Sequence, residues 1–176
     1  MAKTNWALDA SHSGVDFSVK HMMFATVKGG FEKFDATIVA DPTDLTTAEI
    51  EFTVDLASVS TRSEDRDNHL RSADFFDAEN HSNMTFVATS IEKTDDNEYD
   101  VTGNLTLRGV TKQETFQVTY EGSGLDPWGN EKAGFGVDGK IKRSDYGLVW
   151  NAALETGGVL VGDQVKVSLQ LQAAKA

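Results

Sequence analysis

The side chains best suited to acid–base or metal chemistry are four histidines, His12, His21, His69 and His81. Their spacing contains neither H-x-x-x-H nor H-E-x-x-H, the patterns that set two imidazoles on one helix face for zinc. Cysteine is absent, which excludes thiolate metal sites, thiol nucleophiles and disulfides together. No G-x-S-x-G elbow offers a serine nucleophile. Gly134-Phe135-Gly136-Val137-Asp138-Gly139 matches G-x-G-x-x-G, but phosphate binding needs those glycines at a strand-to-helix turn. Here they fall inside an alternating strand, so Gly134 and Gly136 read as small residues on the outer face of a curved strand. Neither a metal nor a cofactor is expected.

The elements that must position these groups are strands. Val15, Phe17, Val19 and His21 share one face of an alternating segment, with Asp16, Ser18 and Lys20 on the other. The pattern returns at Ala48–Asp55, Tyr99–Leu107, Phe116–Tyr120, Phe135–Ile141 and Val165–Leu171. Val27 to Ala40 and Ser82 to Thr94 alternate less regularly, which predicts bulges or strong bends. Counting both gives about eight strands, the number that closes into a barrel. The fold class is therefore all-β: a long up-and-down antiparallel barrel. A tall interior of Phe, Val, Ile and Leu suits an elongated hydrocarbon, although periodicity alone leaves a lumen filled by its own side chains equally open. One stretch breaks the pattern. Thr61-Arg62-Ser63-Glu64 has capping-box spacing, so Arg62 to Ala73 is expected to form a short helix over one end. Phe75 and Phe76 follow it, either as a plug over the lumen or as ordinary core.

A chain of 176 residues without linker or repeat is expected to form a single domain over residues 1–176. The net charge of -12 opposes nucleic acid and anionic membrane surfaces. No run of 18 apolar residues occurs, and MAKTNWALDASHS lacks the apolar core of a secretory leader. The expectation is a cytoplasmic protein without stable membrane insertion, or a periplasmic one if a leader has been removed. A homodimer is compatible with the sequence.

Several segments in order resemble the YceI-like family of lipocalin-like, polyisoprenoid-binding proteins. They are Trp6-x-Leu8-Asp9-x-x-His12-Ser13, Val15-x-Phe17-x-Val19-Lys20-His21, Arg66-Asp67-x-His69-Leu70-Arg71-Ser72 and Asp74-Phe75-Phe76-Asp77. Gly103–Leu107 with Gly109-Val110-Thr111-Lys112, Arg143-Ser144-Asp145-Tyr146-Gly147, Gly157-Gly158 and Val161-Gly162-Asp163-x-Val165 complete the series. The chain departs from the family pattern at His81-Ser82, Arg108 and Gln113, all flanking the expected mouth.

The resemblance implies a lipocalin-like barrel with an isoprenoid chain threaded through it and helical elements near one end. Strand phase then assigns Phe17, Val19, His21, Phe31, Ile50, Phe52 and Val54 to the lumen, with Phe86, Leu105, Leu107, Phe135, Val137, Ile141, Val167 and Leu169, and Phe76 joins them from the expected plug. His12, Arg71, His81, Arg143 and Asp145 are the candidates for polar contacts at the mouth, Arg143 and Asp145 equally for a structural ion pair. The leading expectation is a carrier, store or sequestering protein for an isoprenoid or other long-chain apolar lipid, of the prenyl quinone or prenyl phosphate type. The alternatives are an enzyme using His12, His21 or His81 on an apolar substrate, and a stress-related scaffold with no ligand.

Overall fold

The computed structural model describes residues 3–152, 154 and 160–176. Its strands are β1 (Thr4–Leu8), β2 (Gly14–His21), β3 (Ala25–Phe31), β4 (Phe34–Asp41), β5 (Asp44–Asp55) and the two-residue β6 (Val59–Ser60). After the helix α1 (Glu64–Arg71) come β7 (Asn83–Asp95), β8 (Glu98–Leu107), β9 (Val110–Leu125), β10 (Glu131–Lys142) and β11 (Val161–Lys175). Neighbouring strands pair antiparallel in the order β1-β4-β5-β7-β8-β9-β10-β11, and β11 pairs back to β1, closing an eight-stranded barrel.

Two of the eight walls are broken strands. β1 and β2 lie end to end along the same edge of β11, separated by a 3-10 turn at Ala10–His12. β3 and β4 follow them on the next position, β3 beside β2 and β4 beside β1. The irregular Val27–Ala40 segment is therefore one wall bent at Glu32-Lys33, which puts both Phe31 and Phe34 against the same core despite their odd spacing. In β7 the register against β8 slips between Ala88 and Ser90, the bulge expected there. Gly103 faces that slip. A Cβ on it would stand 2.7 Å from the Phe86 ring and 2.8 Å from Ala88 Cα, so only glycine lets the bulged strand come so close.

The helix is shorter than its sequence signal and starts two residues later. Ser63, not Thr61, is the cap, its hydroxyl accepting from the Arg66 N–H. Arg62 sits at φ 67°, which breaks the chain before the helix. Thr61 is buried and serves docking instead, its N–H and hydroxyl donating to Asp67 at 2.8 and 2.6 Å. The helix thereby lies across the barrel end where β2 finishes and β11 begins. At the other end Trp6, Ala40, Ala133 and Ala173 form a separate packed cluster, with Tyr120 and Phe135 stacked at 5.5 Å. No helix of the described residues is long and apolar enough to cross a membrane.

Candidate functional site

Inward-facing side chains leave two cavities inside the barrel. The upper one, of about 510 Å³, lies under α1; the lower, of about 200 Å³, lies toward the Trp6 cluster. Val15, Met84 and Val167 border both, so the chambers adjoin at one constriction. Phe17, Val19, His21, Phe31, Phe76, Leu107 and Ile141 line the upper chamber. Ile50, Phe52, Val54, Phe86, Leu105, Phe135, Val137 and Leu169 line the lower one, and Val167 touches both. The fifteen residues assigned by strand phase, and Phe76 from the segment after α1, thus each line one chamber or the other.

The two chambers differ in chemistry. Among the side chains around the lower chamber only Thr85 and Tyr99 carry nitrogen or oxygen. The upper chamber meets Asp16, Lys20, His21, Ser63, Asp65, Arg66, His69 and Arg143 as well as its apolar wall. Asp65, Arg66, His69 and Leu70 project from α1 as two pairs four residues apart, the spacing that shares a helix face. That spacing was the available signal for these residues, which the strand reading did not reach.

The expected polar mouth is mostly elsewhere. His12 is at the opposite end of β2 from α1, where its Nδ1 meets Asp9 Oδ2 at 2.8 Å in an exposed loop. Hydrogen bonds from Ser11 first and His12 second hold the Asp9 carboxyl down at about 2. Arg71 turns away from the lumen, donating to the carbonyls of Ala57 and Val59 and to Asn68. His81 lies against Gly109 in the β8–β9 turn, outside both cavities. Asp145 is exposed and borders neither.

Arg143 does reach the upper chamber, but its guanidinium is committed. It donates to the carbonyls of Gly162, Leu148, Trp150 and Val161 at 2.8–3.1 Å, and it lies 5.9 Å from the centre of the Phe75 ring. Four carbonyls around one buried guanidinium explain why the Arg143–Asp145 ion pair, the alternative to polar contacts at the mouth, does not form. Burial pulls the Arg143 pKa below its ordinary value, with the Asp163 charge opposing. Arg143 therefore fixes the loops that wall the chamber. Arg108 plays a similar part on the outside, tying the Ala73 and Gly147 carbonyls together at 2.7 Å each.

The histidines do not converge on one centre. His21 and His69 line the upper chamber, whereas His12 and His81 do not. His69 Nε2 is 2.9 Å from Asp74 Oδ2, and the ring stands edge-on to Phe75 and Trp150. Among the described residues no group of three or more His, Asp or Glu side chains is arranged to hold a metal ion. Gly134 and Gly136 lie within β10, which continues as strand to Lys142 instead of turning into a helix at the glycines, and the β9 register slips at Gly134/Phe135, as a curved strand requires.

Residues 6–173 match the YceI-like domain model. The chain belongs to the YceI-like family. A UPF0312 protein of Staphylococcus epidermidis is 44% identical over 164 residues, covering 93% of each chain. One from Staphylococcus aureus is 41% identical with the same coverage. The crystal structure of Burkholderia cenocepacia BcnA is similar at TM-score 0.82 and 28% identity, over 94% of this chain and 98% of that one. A Campylobacter jejuni YceI protein gives 0.77 and 34%, over 89% and 90%. The polyisoprenoid-binding domain of Saccharophagus degradans shares the fold at 0.75 with 19% identity, over 98% and 99%. Of the YceI-like segments, Gly157-Gly158 lies outside the described residues.

Proposed function

We propose that this chain binds a long-chain isoprenoid lipid, of the prenyl quinone or prenyl phosphate type, in the barrel lumen and serves as its carrier, store or sequestering protein. The observation that carries the reading is the pair of adjoining chambers: a narrower, almost wholly apolar lower one and a larger upper one lined in part by polar groups. A linear hydrocarbon tail matches the first and a small oxygen-bearing head matches the second. Burial of tail at about 25 cal/mol per Å² supplies the affinity, less the cost of ordering a flexible chain. The name of the Saccharophagus degradans neighbour agrees with this ligand class.

An enzymatic reading has less support. His12 and His81 stand outside the cavity, and His21, which does line it, belongs to no group of three or more His, Asp or Glu arranged for a metal among the described residues. Organic extraction of the purified protein followed by mass spectrometry tests the proposal. The expected outcome is a chain-like apolar molecule in substantial stoichiometry. Extracts without lipid, together with no uptake of added prenyl compounds by the stripped protein, would reject it.

A further inference from the structure

The loop between β2 and β3 sends three large apolar side chains into solvent: Met22, Met23 and Phe24 are 40%, 60% and 78% exposed. Their presence is not explained by the turn. Met22 and Met23 hold φ 53° and 69°, where glycine or asparagine sits at less cost. Nor is it explained by packing, since none of the three borders either chamber.

The loop stands at the mouth. His21, which precedes it, lines the upper chamber, and the Met22 N–H donates to the carbonyl of Leu160, another lining residue, at 2.7 Å. Val149, 67% exposed, lies between the lining residues Leu148 and Trp150. Apolar surface therefore continues from the lumen to the tip.

Charge singles out the same place. Lys20 to Lys28 reads KHMMFATVK, with two lysines and no acidic residue, in a chain of net charge -12. Asp65 and Arg66 of α1 face the mouth beside it and offset one another, and Asp16, four residues back along β2 from Lys20, is the other carboxylate lining the upper chamber. The β9–β10 hairpin at the far end offers the contrast. Its Leu125 and Trp128 are also exposed, at 74% and 82%, but the stretch from Glu121 to Glu131 carries three carboxylates and no lysine or arginine, and the Trp6 cluster packs that end of the barrel.

We propose that Met22–Phe24, with Val149, docks the mouth onto the surface of a lipid bilayer carrying anionic headgroups. The methionines and Phe24 enter the boundary between headgroups and acyl chains, and Lys20 and Lys28 meet the headgroup charge. The overall acidity of the chain argues against such a surface at long range, but screening confines that repulsion to about 8 Å at physiological salt, so the local cations decide. The purpose of docking rests on the lipid-carrier reading: an insoluble tail would pass between bilayer and lumen without crossing water.

The test is co-sedimentation with phosphatidylcholine–phosphatidylglycerol vesicles and with phosphatidylcholine vesicles alone. It compares the unaltered protein, a Met22→Ser/Met23→Ser/Phe24→Ser variant and a Leu125→Ser/Trp128→Ser variant. The unaltered protein and the hairpin variant should bind the mixed vesicles alike, and the loop variant should bind about tenfold less or weaker still. Lys28→Gln should lose part of the preference for the anionic vesicles. Geranylgeraniol offered from cyclodextrin should enter all of the proteins equally, whereas its uptake from vesicles should slow in the loop variant. No sedimentation of the unaltered protein, equal binding by the loop variant, or a loss confined to the hairpin variant would each overturn the proposal. If geranylgeraniol enters none of the proteins from cyclodextrin, the carrier reading falls, while the sedimentation comparison still decides docking.

Discussion

Between Met84 and the Trp6 cluster the lumen is walled by strands alone, whereas between Met84 and α1 much of its wall is helix, loop and backbone. The lower chamber rests mainly on alternation: the residues that β4, β8, β9, β10 and β11 turn toward it are two apart along each strand or a multiple of two, and nearly all are hydrocarbon. The upper chamber has to hold irregular chain in place. It does so with hydrogen-bonding side chains that point at carbonyls, chiefly Arg143, and with the Thr61–Asp67 latch of α1. One end is kept open by packing, the other by polar scaffolding, so damage to the two should look different.

The largest effect is expected from the scaffold. Arg143→Met removes the guanidinium from four carbonyls, of which Val161 keeps the Asn151 Nδ2 donor at 2.7 Å, and unsatisfied buried acceptors cost about 1–3 kcal/mol apiece before relaxation. A loss of roughly 3 kcal/mol or more is expected in urea unfolding. Arg143→Lys should recover little, since an ammonium lacks the planar fork that spans the four acceptors. A near-neutral Arg143→Met would mean that the upper loops hold themselves.

Packing changes sharpen the contrast from the other side. Leu56 is fully buried in the main core, and Leu56→Ala should cost about 2–5 kcal/mol. Phe52 faces the lower chamber with only Phe34 stacked on it, at 6.1 Å. Phe52→Ala should therefore fall below the about 3–5 kcal/mol of a fully packed phenylalanine, while weakening uptake of added prenyl lipid. Glu51→Ala, on the outer face, should do neither. A full core-sized loss at Phe52, with lipid uptake unchanged, would erase the difference between chamber and core.

The smallest effects are expected from pH, and the two ends respond with opposite sign. At the lower end Asp9 is held at about 2 by Ser11 and His12, so its contribution is present above its ordinary value of 3.8 and is lost as pH falls toward 2. At the upper end burial raises the Glu114 carboxyl, with the Tyr146 hydroxyl partly opposing and Asp145 adding to the rise. Neither the Tyr146 hydroxyl nor Glu114 Oε2 makes a well-formed hydrogen bond. The contribution of Glu114 is therefore full at low pH and is lost as pH rises through the raised value. Asp9→Asn should lower stability at neutral pH and flatten the acid limb; Glu114→Gln should raise it at neutral pH. Denaturant midpoints from pH 2 to 8 check both, and a shared sign would show that the ends are not independent.

The lower chamber was legible in the sequence because period-two alternation reports directly which side chains face in. Even Phe31 and Phe34, out of phase along the chain, became intelligible as flanks of a bend. The upper chamber was less legible. Arg143 and Asp145 are two residues apart, which suggested a common role, yet one is buried among carbonyls and the other is in solvent. His12 belongs to the same strand edge as His21, but β2 is long enough to carry them to opposite ends. What periodicity cannot report is the path of a loop, and the loops around 143–150 and 160–162 decide where the polar groups go.

The seam of the barrel has a consequence for when a ligand can be taken up. It joins the first strand to the last, with Trp6 opposite Lys175 and Leu8 opposite Ala173. The pairings from β1–β4 round to β9–β10 can form earlier in synthesis, but until β11 is available to join β10 to β1 and β2 the sheet is an open trough with two bare edges. A trough has no inside. Capture of a lipid is thus an event in the life of the finished chain, and the slow, long-range step that zips the seam is also the step that creates the compartment.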